Sequence, residues 1–263
     1  MNLQLSGKLA LVTGSTAGIG HAIARLLAAE GADVIINGRS QSSVDNAVAA
    51  LIPAATGRLF GFAGDLSQEE VAKQLHAEFS DVDILVNNLG IFEPVAFENI
   101  SDDDWRRFFE VNVLSGVRLA RYYLPAMKQK NWGRIIFISS ESAIQIPSEM
   151  IHYGMTKSAQ IAVARGIAED VAGTNITVNS VLPGPTRSRG VMDFVQDMAN
   201  QQGQSFEQFE ADFFENVRPT SLIKRFASPE EVASAVCYLA SPLASATTGA
   251  AIRVDGGVIK SAF

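Results

Sequence analysis

One cysteine, Cys237, stands among 263 residues. No intramolecular disulfide can form, and such usage fits a reducing compartment. The apolar helical run around Cys237 reads as packing, not chemistry. There are three histidines, and they are scattered; with a single thiol, the chain lacks a metal-ligand set. Basic runs are missing as well: none is longer than Arg106-Arg107, and the net charge is −7. That excludes a nucleic-acid footprint, which calls for clustered Lys and Arg. No apolar run approaches the roughly 20 residues that cross a bilayer. The N-terminus shows no basic segment leading into an apolar core, so no signal peptide is expected. These absences describe a cytoplasmic protein with neither nucleic acid nor membrane as partner.

Hydrophobic residues make up 47% of the chain and charged residues 19%, enough for a substantial core. Strand-like apolar runs at 9–12, 34–36, 59–62, 84–86, 134–138, 176–181 and 251–254 alternate with helical patterns. Near-continuous apolar strands imply burial on both faces, as in a parallel sheet covered by helices. Repeated strand–helix units predict an α/β fold: a doubly wound, Rossmann-type, seven-stranded parallel sheet. No Pro-rich or Ser-rich linker interrupts the series, so residues 1–263 read as one domain. The segment 187–224, rich in Gln, Phe and acids and containing Met192, Met198 and Gly203, is a long excursion. It reads as a lid or substrate-binding element.

Two patterns carry chemistry. The first is Tyr153-Gly154-Met155-Thr156-Lys157, preceded by Ser139-Ser140. Tyrosine and lysine four apart share one helix face. A lysine ammonium there favours phenolate and lowers the phenol from its reference pKa of about 10. Ser140 can bind the same substrate oxygen that the tyrosine protonates. The second pattern is the glycine turn after the first strand, where Gly14, Ser15, Thr16, Gly18, Ile19 and Gly20 lead into a helix. Glycines allow backbone to approach a pyrophosphate, and the helix N-terminus offers free N–H groups. At the end of the second strand no acid is present to bind a ribose 2′-hydroxyl. Gly38 leaves space there, and Arg39 and Ser40 suit a 2′-phosphate. NADP is therefore expected over NAD, with Arg39 as its main reader.

Together these residues resemble the short-chain dehydrogenase/reductase superfamily over nearly the whole chain. The motifs are the Thr-Gly-x-x-x-Gly-x-Gly turn at 13–20, Asn87-Asn88-Leu89-Gly90, Asn112 within Val111-Asn112-Val113, Ser140 with Tyr153 thirteen positions later, Pro183-Gly184 and Asp255-Gly256-Gly257. The resemblance implies a catalytic set of Asn112, Ser140, Tyr153 and Lys157, with Tyr153 as general acid or base. It gives Lys157 the nicotinamide ribose and Asn112 a water that links Lys157 to solvent. It also implies that Asp65 and Leu66 meet the adenine, Asn88 and Gly90 the adenosine ribose, and Pro183, Gly184 and Thr186 the nicotinamide end. Leu89 departs from the family's usual alanine and either narrows the nicotinamide end or fills a gap. A homotetramer or dimer through helices around 104–128 and 152–172 is implied as well.

The implied activity is hydride transfer between NADP(H) and a small carbonyl compound or secondary alcohol; the 3-oxoacyl-thioester reductases are one subgroup of this kind. An NAD-dependent dehydrogenase of the same family and a non-catalytic nucleotide-binding sensor or scaffold are the alternatives. The substrate pocket is expected to use Ile91, Phe92, Ser142, Ile144, Gln145 and the 187–224 segment, which suits a medium-sized, partly hydrophobic substrate. Ser139 is expected on the other face of its strand and His152 in a structural role. Glu141 is read either as a substrate-polarising acid or as a solvated one.

Overall fold

Seven short runs of Val, Ile, Leu and Phe become the strands of one parallel sheet in the computed structural model, which describes residues 2–188 and 205–262. They are β1 (Leu9–Val12), β2 (Asp33–Gly38), β3 (Leu59–Ala63), β4 (Ile84–Asn87), β5 (Gly133–Ile138), β6 (Ile176–Pro183) and β7 (Ala251–Val254). Every position of β5 and β6 is buried. Side chains alternate between faces as the pleat requires. Val12, Ile36, Val86 and Ile136 enter one core, while Leu11, Ile35, Leu85 and Ile135 enter the other.

The first core is closed by α1 (Gly18–Ala29), α2 (Gln41–Leu51) and α8 (Pro229–Ala240). The second is closed by α3 (Glu69–Glu78), α5 (Ser115–Lys130) and α6 (Ile151–Asp170). Two shorter helices are α4 (Asp102–Phe109) and α7 (Phe206–Asp212). The helical stretch expected around 104–128 is one path through α4 and α5, broken by a π turn at Glu110–Leu114. β6 runs beyond the expected 181, because Pro183 still lies opposite Val254 and the Gly184 N–H donates to the Val254 carbonyl at 3.1 Å.

Strand order is β3-β2-β1-β4-β5-β6-β7. Chain progression reverses between β1 and β4, so the turns at their carboxyl ends leave in opposite directions and open a crevice. The glycine turn of 13–20 follows β1 and the Asn87-Asn88-Leu89-Gly90 stretch follows β4. Both sequence motifs meet at that crevice. Of the excursion at 187–224, residues 189–204, with Met192 and Met198 and Gly203, lie outside the described residues. Among the described residues no helix is long and apolar enough to cross a membrane.

Candidate active site

The floor of the crevice is held by side chains that the strands deliver to it. The Thr13 hydroxyl accepts from the N–H groups of both Asn88 and Leu89 at 2.9 Å. Asn88 Nδ2 returns to the carbonyls of Thr13 (2.9 Å) and Gly14 (3.2 Å). Gly14 and Gly18 take φ values of +60° and +55°, which favour glycine. A Cβ on Gly20 would stand 2.6 Å from the Gly14 carbonyl oxygen, so only glycine lets α1 start this close to the turn. The α1 N-terminus has no side-chain cap and no acid in its first turn. Its orphan N–H groups and positive dipole end suit a pyrophosphate. Gly18, Ile19 and Gly20 border a cavity of about 620 Å³. The residues present therefore fit a dinucleotide.

Most of the other residues expected at the cofactor also make contacts within the protein. Ser15 is fully buried: its Oγ donates to the Val12 carbonyl at 2.7 Å and accepts from the Asn37 N–H at 2.9 Å. It holds the turn from inside. The room left by Gly38 is filled by Thr16, whose Cγ2 would lie 2.4 Å from a Cβ at Gly38. The Ser40 hydroxyl caps α2 by accepting from the Ser43 N–H at 3.3 Å. Arg39 is exposed at the end of β2, with no ion-pair partner among the described residues. Asp65 Oδ1 accepts from the Ser67 N–H (3.0 Å) and hydroxyl (2.7 Å), while Leu66 is buried in the second core. Arg39, Ser40, Asp65 and Leu66 stand outside the cavity wall. Leu89 packs into the second core beside Gly14, filling a gap and leaving the cavity untouched.

Ser140, Tyr153 and Lys157 border the same cavity, with Asn88, Gly90, Pro183, Gly184 and Thr186 along its cofactor side. Ser140, in extended backbone two residues past β5, caps the short turn Glu141–Ala143, accepting from the Ser142 N–H at 3.1 Å. That turn brings Glu141 and Ser142 inward. Ile144 and Gln145, expected in the pocket, are exposed and outside its wall. Ile91 and Phe92 do line it, and the Phe92 ring meets Tyr153 edge-on at 6.4 Å. Ser139 donates to the Lys157 carbonyl at 2.8 Å and ties β5 to α6. His152 is fully buried against Phe108, rings 3.9 Å apart, and burial lowers its pKa.

The electrostatics differ from the expectation that Lys157 depresses the phenol. Burial pushes Tyr153 up to about 12, against a hydrogen bond with Ser140 that pulls it down. Glu141 adds to the rise, and the positive charge that opposes it is Arg218. Lys157 is itself lowered to about 7 by burial. Its Nζ lies 5.6 Å from the Tyr153 ring centroid and donates to the Ile138 carbonyl at 2.9 Å. Protein groups occupy the hydrogen-bonding positions of Asn112. Its Oδ1 accepts from the Ile91 N–H at 2.8 Å, and its Nδ2 donates to the Ile91 carbonyl and the Thr156 hydroxyl, both at 3.0 Å.

Arg218 and Glu149 belong to the site without any sequence motif to mark them. Over the cavity, Phe209, Asp212, Phe213, Val217 and Arg218 form a roof that includes α7 and the π turn Phe213–Val217. Arg218 Nε donates to Glu141 Oε1 at 3.0 Å, and its Nη1 reaches Glu149 at 3.5 Å. Burial raises the Glu141 carboxyl's pKa, and Arg218 holds it back. Glu141 is thus neither solvated nor free. The partners lie 77 positions apart, so no local pattern marks them.

The sheet, the glycine turn at its switch point and one cavity holding serine, tyrosine and lysine define a nicotinamide-dependent oxidoreductase of the short-chain type. Residues 14–259 match a family model described as enoyl-(acyl carrier protein) reductase, and the chain belongs to the short-chain dehydrogenase/reductase superfamily. It is 50% identical over the full length of both chains to the uncharacterized oxidoreductase YvaG of Bacillus subtilis. It is 35% identical to the 3-oxoacyl-(acyl-carrier-protein) reductase FabG of Salmonella typhimurium, covering 97% of this chain and 99% of the relative. Among solved structures, L-sorbose reductase from Gluconobacter frateurii, complexed with NADPH and L-sorbose, superposes with a TM-score of 0.93 at 32% identity. That match covers 99% of this chain and 100% of the other.

Proposed function

We propose that this chain is an NADP(H)-dependent reductase of a small carbonyl compound, working through Asn112, Ser140, Tyr153 and Lys157. The observation that carries the reading is the shared cavity, where the Tyr153–Ser140 pair faces the uncapped start of α1. The nicotinamide, when bound, exchanges a hydride with the substrate carbon. Gly18, Ile19 and Gly20 would hold the pyrophosphate, Arg39 the 2′-phosphate, Asn88 and Gly90 the adenosine ribose, and Lys157, Pro183, Gly184 and Thr186 the nicotinamide half. Support for NADP comes from Arg39, from the absence of an acid at the end of β2, and from the NADPH in the sorbose reductase complex.

Tyr153 acts as the general acid. A phenol raised to about 12 is protonated at neutral pH and can give its proton to the carbonyl oxygen as that oxygen gains charge. Ser140 donates to the same oxygen and stabilises the developing alkoxide. In the reverse direction the phenolate takes the proton from the alcohol. The aromatic roof, with Phe92 below it, favours a substrate with an apolar body. The uninterrupted strand–helix series supports a single domain over 1–263, the single cysteine suits a cytoplasmic setting, and the family resemblance adds a homotetramer or dimer through α4, α5 and α6.

The test is purified protein with NADPH, NADH and a panel of ketones and 3-oxoacyl thioesters, each also assayed with Tyr153→Phe. Turnover with NADPH that falls by ~100-fold or more in Tyr153→Phe, with cofactor binding kept, is expected. Cofactor binding without any hydride transfer would point to a sensor or scaffold and overturn the reading.

A further inference from the structure

Lys157 is held from behind by a side chain that no motif marked. Gln160 sits one helical turn further along α6 and is 1% exposed. Its Oε1 accepts from Lys157 Nζ at 3.3 Å, and its Nε2 donates to the Asn112 carbonyl at 2.6 Å. That carbonyl belongs to the π turn between α4 and α5, where the regular helical spacing is interrupted. A carbonyl can only accept, so the amide must turn Nε2 toward Asn112 and Oε1 toward the lysine. The orientation of Gln160 is therefore dictated by Asn112, and so is the acceptor offered to Lys157.

An ammonium has three N–H groups. Those of Lys157 reach Ile138 and Gln160, and the amine borders the cavity beside Gly90, where a Cβ would stand 3.3 Å from Nζ. Ile138 offers a backbone oxygen that no substitution removes. Gln160 offers the one side-chain acceptor for Lys157 among the described residues.

We propose that Gln160 is a positioning residue of the active site, whose amide, oriented by the Asn112 carbonyl, holds the Lys157 ammonium in place and couples it to the α4–α5 turn. The inference rests on the catalytic reading of Tyr153 and Lys157. It adds a definite electrical consequence. An oxygen facing the ammonium favours the charged lysine, against the burial that draws it down to about 7. The other titratable and charged groups on the cavity wall are Tyr153 on α6, Glu141 after β5, Glu149 just before α6, and Asp212 and Arg218 from the roof; the lysine's low value comes from burial.

The experiment follows Lys157 in the full-length protein by NMR titration of isotopically labelled lysine, beside the pH profile of kcat with NADPH. Gln160→Met keeps the length and removes the oxygen. The Lys157 titration and the alkaline limb of kcat should both move down by about one pH unit, the effect of one hydrogen bond to a charged group. Gln160→Glu puts a carboxylate against the ammonium and should move both upward. A purely structural glutamine would alter Tm in each variant without opposite displacements. A Lys157 titration unmoved in Gln160→Glu overturns the proposal, and that variant decides alone if Gln160→Met does not fold. Tyr153→Phe is assayed in parallel. Full turnover in Tyr153→Phe would sink the catalytic reading, while the lysine titration would still decide what Gln160 does.

Discussion

Arg218 and Glu141 form a buried ion pair, Nε to Oε1 at 3.0 Å, that fastens the roof of the cavity to the residue following Ser140. The side chains are 10% and 5% exposed, so neither charge can fall back on water. Arg218→Met would leave the Glu141 carboxylate buried without its counter-charge, at a cost of roughly 3–5 kcal/mol. Urea unfolding should show that loss. Arg218→Met combined with Glu141→Gln should recover most of it. A single variant as stable as the parent would mean that the pair does not hold the roof.

Arg39 extends from the end of β2 without an ion-pair partner among the described residues. Removing it should weaken NADPH binding by about 10- to 100-fold, the worth of a charge-assisted contact to phosphate. NADH, which lacks the 2′-phosphate, should be held almost as before. Fluorescence titration of both cofactors against Arg39→Ala makes the comparison; equal losses would take the 2′-phosphate away from Arg39.

Burial of Lys157 makes stability depend on pH in a definite direction. Its folded pKa of about 7 lies below the ordinary lysine value of 10.5. Between those two values the unfolded chain binds the extra proton, so native stability rises with pH across the window. Below about pH 7 the penalty for the buried ammonium is fully present. Lys157→Met has no such penalty and should abolish turnover. Its stability relative to the parent should be most favourable near pH 6 and decline steadily toward pH 10. Thermal melts at a series of pH values follow this, and a difference that stays flat with pH would contradict it.

Sheet, topology class and the cavity's main residues were legible because they depend on local pattern. Strands such as β1 and β4 announce themselves as apolar runs, and the Tyr153–Lys157 spacing places both groups on one face of α6. What escaped was set by partners far apart in sequence. The Asn37 side chain accepts from the Gly14 N–H and donates to the Phe62 and Gly64 carbonyls, joining the ends of three strands, and no local pattern marks it. Ser40, expected beside a 2′-phosphate, also caps the helix that begins just after it, a second role that its position in the sequence does not announce. Ile144 and Gln145, expected in the pocket, follow the turn that Ser140 caps and are exposed to solvent. The expected influence of Lys157 on the phenol assumed a fully charged lysine. Burial, which spacing does not report, alters both groups together.

The Thr13 hydroxyl, shared by two backbone N–H groups of the β4 turn, and the answering Asn88 amide unite two loops that the chain makes 75 positions apart. Opening the bed beneath a cofactor at the seam between its halves would therefore break these hydrogen bonds together. Among the described residues the roof has no such hydrogen bonds to that bed, and Arg218 ties it to Glu141 beside Ser140. Changes of shape needed to admit different substrates can therefore be confined to the roof, leaving the geometry of hydride and proton delivery as it was.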